Sequence, residues 1–248
     1  MKLAVVIPAK NEEHRLPALL GTIEAQTVKP DEVIVVDSHS TDETVKIAQS
    51  FADRLPIHVQ TAVGKGVASA RNEGAAATTC DYLVFIDADV TVPPNFIDAI
   101  KKTIEQRHIE VGAITQRIAS KKFGLAFGGR MMNGYMRVMS LTPWPLFFSC
   151  YFMSHKIHDE IGGFDPEIFV MEDYDYALRG KRAGGKFGIV KDTFFHSSPR
   201  RYEATDGNKS IMQGFYAEFY RYTHGMRVTK KLFDYDMGGE PEEHAKKK

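Results

Sequence analysis

Cysteine is scarce. Cys80 and Cys150 are the only two among 248 residues. They lie too far apart for metal-ligand spacing, so neither a disulfide framework nor a cysteine-bound metal is expected, and two buried free thiols in a reducing compartment are. An excess of charge is also missing: Lys+Arg and Asp+Glu both number 32. That removes the basic footprint a nucleic-acid partner requires. Long apolar runs are lacking as well. Leu3–Ile7 stops at Pro8, too soon for the core of a signal peptide. The Met- and aromatic-rich stretch from Met131 to Met153 is interrupted by Asn133, Arg137, Pro143 and Pro145. It falls short of the roughly 20 apolar residues of a spanning helix. A cytoplasmic protein is expected, with peripheral contact at the inner face of a membrane left open. No internal repeat is visible, and Glu240 to Lys248 reads as a charged, disordered tail. The 43% hydrophobic and 26% charged composition is that of an ordinary globular chain, long enough to bury a sizeable core.

The most informative stretch is Asp81-Tyr82-Leu83-Val84-Phe85-Ile86-Asp87-Ala88-Asp89. Five apolar or aromatic residues in a row read as a strand buried on both faces. Ionised carboxylates are costly out of water, so Asp87 and Asp89 are expected where the strand leaves the sheet. That is the edge at which open α/β sheets place their ligand crevice. Two oxygen donors there suit a hard cation, Mg²⁺ or Mn²⁺, and hence a phosphate-bearing substrate.

Strand and helix patterns alternate around this stretch. Strands are expected at Leu3–Ile7, Val33–Val36 and Ile57–Gln60. Helices are expected over Glu12–Gln26, from a Thr41 N-cap, over Val67–Ala77, and from Pro93-Pro94 to about Glu105. This order argues for a mostly parallel, doubly wound sheet. The second half is less regular: strands at Val111–Gln116, Phe147–Met153 and Lys186–Val190, and helices at Ser154–Ile161, Glu172–Ala183 and Asn208–Thr223. One domain over residues 1–230 is expected, with a nucleotide-sugar half (1–116), an acceptor half (117–230) and a tail (231–248).

Six elements in this order carry a likeness. They are Val6-Ile7-Pro8-Ala9-Lys10-Asn11-Glu12; Val35 to Thr44; Gly64-Lys65-Gly66 with Ala70-Arg71-Asn72-Glu73-Gly74; Asp87-Ala88-Asp89; Gly162-Gly163-Phe164-Asp165; and Glu172-Asp173. From about Leu3 to His196 the chain resembles the family 2 glycosyltransferases, inverting enzymes with the Rossmann-like GT-A fold. The resemblance implies that Pro8, Glu12 and Asp37 line the nucleoside. It places Lys65 by the diphosphate, aims Arg71 at the donor, and brings Asp87, Ala88, Asp89 and Glu172 to the nucleotide sugar. Asp89 would ligate a divalent Mn²⁺ or Mg²⁺, and Asp87 would touch the ribose or reach the cation through water. His196 matches a family position that is either a further metal ligand or a hydrogen-bonding residue. The family's second acid after Asp37 is here Ser38, which leaves the base of the nucleotide undecided.

Asp173 is the implied general base, the single carboxylate that an inverting transfer requires. Asp175 falls on another helix face and reads as structural. Arg179 and Arg182 could meet phosphate or pair with acids. The glycines at 64 and 66, before a helix N-terminus, suit a diphosphate. Residues 197–202 read equally as a lid or a solvated loop. The implied partners are a nucleoside-diphosphate sugar, with UDP ahead of GDP, and an acceptor that is a sugar, lipid-linked or small. The segment 121–153, with Lys121, Lys122 and Arg130, would face it. Two other classes were weighed. A sugar-phosphate nucleotidyltransferase would want a Gly-rich basic loop where Pro8-Ala9-Lys10-Asn11 stands. A non-catalytic sugar-nucleotide-binding module would lack the metal pair or the base.

Overall fold

The computed structural model describes residues 1–118, 123–168 and 170–197, together with Tyr216, Tyr220 and Thr223. Seven strands form one sheet: β1 (Leu3–Ala9), β2 (Glu32–Asp37), β3 (Ile57–Thr61), β4 (Tyr82–Ile86), β5 (Val111–Ile118), β6 (Cys150–Ser154) and β7 (Phe187–Ser197). Their spatial order is β3-β2-β1-β4-β6-β5-β7. Among the described strands β6, inserted between β4 and β5, runs antiparallel to its neighbours. All other pairings are parallel, so β1, β2, β4, β5 and β7 end at one edge.

Alternate residues of the buried strands feed two cores, one on each face. Leu3, Val5 and Ile7 meet α1 (Leu16–Glu24), α2 (Thr44–Gln49) and α4 (Phe96–Arg107). Ala4 and Val6 meet α3 (Gly66–Ala76), α6 (His155–Glu160), α7 (Glu172–Arg182) and the buried side of α5 (Phe123–Ser140). This three-layer arrangement follows from strands that are apolar on both sides. Helix α3 lies close to the sheet because Gly74 has no side chain: a Cβ there would stand 2.4 Å from Val6 Cγ1.

Several element boundaries differ from the sequence reading. Helix α1 begins at Leu16, not Glu12, because Pro17 is tolerated only in a first turn. Thr41 is not the cap of α2. That helix starts at Thr44, and Asp42 Oδ1 accepts the Thr44 N–H at 3.0 Å. Pro93 and Pro94 precede α4, which starts at Phe96, and their carbonyls accept bonds from Gln26 and Thr27. β6 starts at Cys150. β7 runs to Ser197 because its pairing with β5 jumps from Ile114↔Val190 to Thr115↔Phe194, a bulge that absorbs Lys191, Asp192 and Thr193. An 18-residue helix, α5, stands where only an irregular segment was expected. Cys80 and Cys150 are buried free thiols. The expected terminal helix, the 197–202 loop beyond Ser197 and the charged tail lie outside the described residues, save that Tyr216, Tyr220 and Thr223 are helical.

Candidate active site

The loops after β1 and β2 are stitched to each other. Asn11 N–H donates to Ser40 Oγ at 2.8 Å, and Thr41 N–H donates to Asn11 Oδ1 at 2.8 Å. Glu12 N–H donates to Thr44 Oγ1 at 2.8 Å. Asn11 takes the left-handed conformation (φ 51°), which asparagine tolerates. Pro8 lies at the end of β1, paired in register with Val36. Glu12 and Asp37 are both buried beside this seam. Asp37 accepts the Ser40 N–H through both oxygens, at 3.1 and 3.3 Å, so its carboxylate also shapes the β2–α2 turn. A cleft of about 160 Å³ opens along the seam between Asn11–Arg15 and Thr41–Asp42.

Arg71 stands at the centre of the crevice edge. Its side chain is 6% exposed. Nη2 donates to Asp87 Oδ1 at 2.9 Å and Nη1 to Glu172 Oε1 at 2.7 Å. The guanidinium lies 5.7 Å from the Tyr151 ring and 5.5 Å from the Phe164 ring, an aromatic floor for a buried cation. Burial works against its charge, yet Tyr151, Asp87 and Glu172 hold its pKa well above the ordinary arginine value. Its permanent charge is what permits two acids and Asp173 to share this place.

Asp173 opens α7, next to Glu172. The residue before them, Met171, is held at φ 66°, an uncommon conformation for a methionine that concentrates strain at the helix entry. Burial, and then the negative charge of Glu172, push the Asp173 carboxyl up to about 8 against the opposing pull of Arg71. Asp175 is engaged elsewhere, by Arg179 Nε at 2.7 Å. Arg179 Nη1 also donates to the carbonyls of Ile161 and Gly163, at 2.9 and 2.7 Å, while Arg182 is exposed. Asn72 completes the hold on that loop: its amide donates to the Phe164 carbonyl at 2.8 Å and accepts the Phe164 N–H at 2.7 Å.

Thr91, two residues beyond Asp89, pairs with His196 on β7. Thr91 and His196 form an isolated bridge with bonds of 3.1 and 2.8 Å, and His196 sits opposite Arg117 in the β5–β7 ladder. Burial and the Arg117 charge depress the His196 pKa, favouring the neutral imidazole. Among the described residues no three His, Cys, Asp or Glu side chains converge as a metal cluster. Ala88, between the two aspartates, is buried.

Arg71 points into an ion-pair cluster with Asp87 and Glu172. Beside Lys65, which is exposed at the N-cap of α3, the N–H groups of Val63 and Gly64 donate to the Glu73 carboxylate, both at 2.8 Å. Sequence reasoning missed the Asn72 clamp, the Tyr151 and Phe164 floor and the Thr91–His196 bridge. Asn72 was visible as Arg71's neighbour; nothing local marks the other contacts, which join residues far apart in the chain.

A family model described as Glycosyl transferase family 2 matches residues 4–160. The chain belongs to this family. Validoxylamine A glucosyltransferase of Streptomyces hygroscopicus subsp. limoneus is 40% identical over 102 residues, covering 40% of this chain and 22% of that protein. The 4,4'-diaponeurosporenoate glycosyltransferase of Staphylococcus aureus is 37% identical over 110 residues, covering 44% and 28%. The chain thus spans about a quarter of these two curated relatives. Among solved structures, S. aureus TarS 1-349 in complex with UDP is similar at a TM-score of 0.67 and 18% identity, covering 81% of this chain and 62% of that one. Mannosyltransferase PcManGT of Pyrobaculum calidifontis, in complex with GDP-Man and Mn²⁺, is similar at 0.66 and 22%, covering 79% and 56%. These likenesses establish the GT-A fold, as expected from the sequence.

Proposed function

We propose that this chain transfers a glycosyl group from a nucleoside-diphosphate sugar to an acceptor hydroxyl with inversion at the anomeric carbon. The observation that carries the reading is the half-buried Asp173 at the crevice edge, its carboxyl raised to about 8 beside Glu172, Arg71 and Asp87. A carboxylate with that basicity removes a hydroxyl proton far better than an ordinary one. As the acceptor oxygen bonds to the anomeric carbon, its proton passes to Asp173. The bond from that carbon to the diphosphate breaks with its electron pair, and the nucleoside diphosphate leaves.

Pro8, Glu12 and Asp37 hold the nucleoside at the seam between the first two loops. Lys65 reaches the diphosphate by side-chain charge, and Asp87, Ala88 and Glu172 border the sugar. Arg71 holds Asp87 and Glu172 in place through its two ion pairs. Asp89 and His196 supply one carboxylate and one neutral imidazole, a set that fits Mn²⁺ or Mg²⁺ taking its remaining ligands from phosphate oxygens. Such a cation, when bound, offsets the charge that develops on the leaving diphosphate. The similar structures were solved with UDP and with GDP-Man, which supports a UDP- or GDP-sugar as donor.

Calorimetric titration of UDP, GDP and their sugar conjugates, with and without Mn²⁺, tests this on wild type and Asp89→Ala. Binding of one nucleotide that needs both the cation and Asp89 is expected. Absence of metal-dependent binding to all of them overturns the proposal.

A further inference from the structure

Helix α5 has two apolar sides, and only one is spent on the fold. Met136 and Met139 are buried in the core, and the Asn133 amide clamps both backbone groups of Gln116, at 2.7 and 3.0 Å. On the opposite side Met131 and Val138 are each 62% exposed, and Leu141, just past the helix, is 89% exposed. These positions recur at i, i+7 and i+10, one stripe along the helix, and Tyr135 and Phe127 fall on the same stripe, partly exposed. Arg130 and Arg137 flank it and are exposed, and Trp144 follows the helix at 40% exposure.

Along the chain, the charge carried by this helix and its flanks has one sign. Residues 111–158 contain Arg117, Lys121, Lys122, Arg130, Arg137 and Lys156 and not one Asp or Glu, in a chain whose cations and anions are equal in number overall. An apolar stripe on a helix whose only charged residues are two arginines complements an anionic lipid surface. No described helix is long and apolar enough to cross a membrane, so this one would lie along it. The helix also adjoins the crevice. Gln116, which it clamps, is followed by Arg117, the β5 partner of His196. At its other end, Lys181 of α7 donates to the Thr142 carbonyl at 2.6 Å, tying it to the helix that carries Asp173.

We infer that α5 docks this protein on an anionic bilayer, with Met131, Val138 and Leu141 in the interface and Arg130 and Arg137 at lipid phosphates. The crevice then opens beside the bilayer, toward an acceptor hydroxyl borne by a lipid; only that acceptor assignment rests on the glycosyl-transfer reading.

Flotation of the full chain with vesicles tests the docking. Vesicles of phosphatidylcholine mixed with phosphatidylglycerol are compared with phosphatidylcholine alone, at low and high salt. Binding is expected only to the mixed vesicles and to weaken with salt. Arg130→Gln with Arg137→Gln should lower partitioning about thirty-fold, and Met131→Ser with Val138→Ser should abolish it. Far-UV circular dichroism and nucleotide titration of both variants separate docking from folding and from donor binding. The inference is overturned if neither vesicle binds, if neutral vesicles bind equally, or if both variants bind as wild type does. It is also overturned if wild type is a dimer that the Met131/Val138 variant dissociates, since the stripe then seats a second copy. A chain that binds vesicles but no nucleotide leaves the docking intact and removes the transferase reading; the reverse result removes only the docking.

Discussion

The two halves of this molecule reach the same crevice by different means. From β1 to α4, every strand is parallel and every connection carries a helix, so each strand delivers its polar residue to one edge by repetition of a single unit. From β5 to β7 the chain inserts an antiparallel strand, a three-residue bulge and a helix with two apolar sides. Its residues arrive at the edge through long-range ties to α3: Arg71 to Glu172, and Asn72 to the backbone of Phe164. The first half's edge is assembled by local order; the second half's edge is fastened onto the first.

The largest effect is expected where the second half contributes its acid. Asp173→Asn should lower the transfer rate by about 10²–10⁴-fold while nucleotide-sugar affinity stays near wild type; an unchanged rate would move the base elsewhere. The same residue predicts a pH dependence. Its folded pKa of about 8 lies above the unfolded carboxylate value, so the folded state holds the extra proton between them. Stability should therefore decline as pH rises through that window, the rate should climb toward about pH 8, and Asp173→Asn should flatten the stability slope.

Next is the tie itself. Arg71→Met leaves Asp87 and Glu172 without their shared cation and should cost about 3–5 kcal/mol in urea unfolding. A cost below about 1 kcal/mol would mean that this ion pair is solvated enough not to join the halves. Asn72→Ala breaks two bonds to the Phe164 backbone and should cost about 1–3 kcal/mol, with the loss seen also as a raised KM if the 162–165 loop shapes the site. The smallest effect belongs to the first half alone. Gly66 has φ 88° and no neighbour within 4 Å of a built Cβ, so Gly66→Ala should cost only the backbone penalty, about 1 kcal/mol.

The uneven legibility of the chain follows the same division. Val33–Val36 and Leu83–Ile86 announce buried parallel strands by composition, and the acids that end them could only stand at an edge. Pro17 carried a usable signal for the start of α1 that the amphipathic pattern hid. Helix α5 escaped because its two apolar sides blur the single stripe by which a helix is normally read, and its four glycines weaken propensity further. The Glu73 carboxylate on the Val63 and Gly64 N–H groups looked like an unremarkable helix residue in the chain.

The sequence by itself determined which acids end buried strands and at which edge of the sheet they emerge, because strand burial and the cost of a buried charge are local properties. Only the tertiary structure decided which acids meet an arginine and which does not. Asp87 and Glu172 take the two arms of Arg71, Asp175 takes Arg179, and Asp173 is left beside Glu172 with its proton affinity raised. That choice depends on charges brought within a few ångströms across about a hundred residues of chain, where Coulomb and desolvation energies are set by distance in space and not by position in sequence.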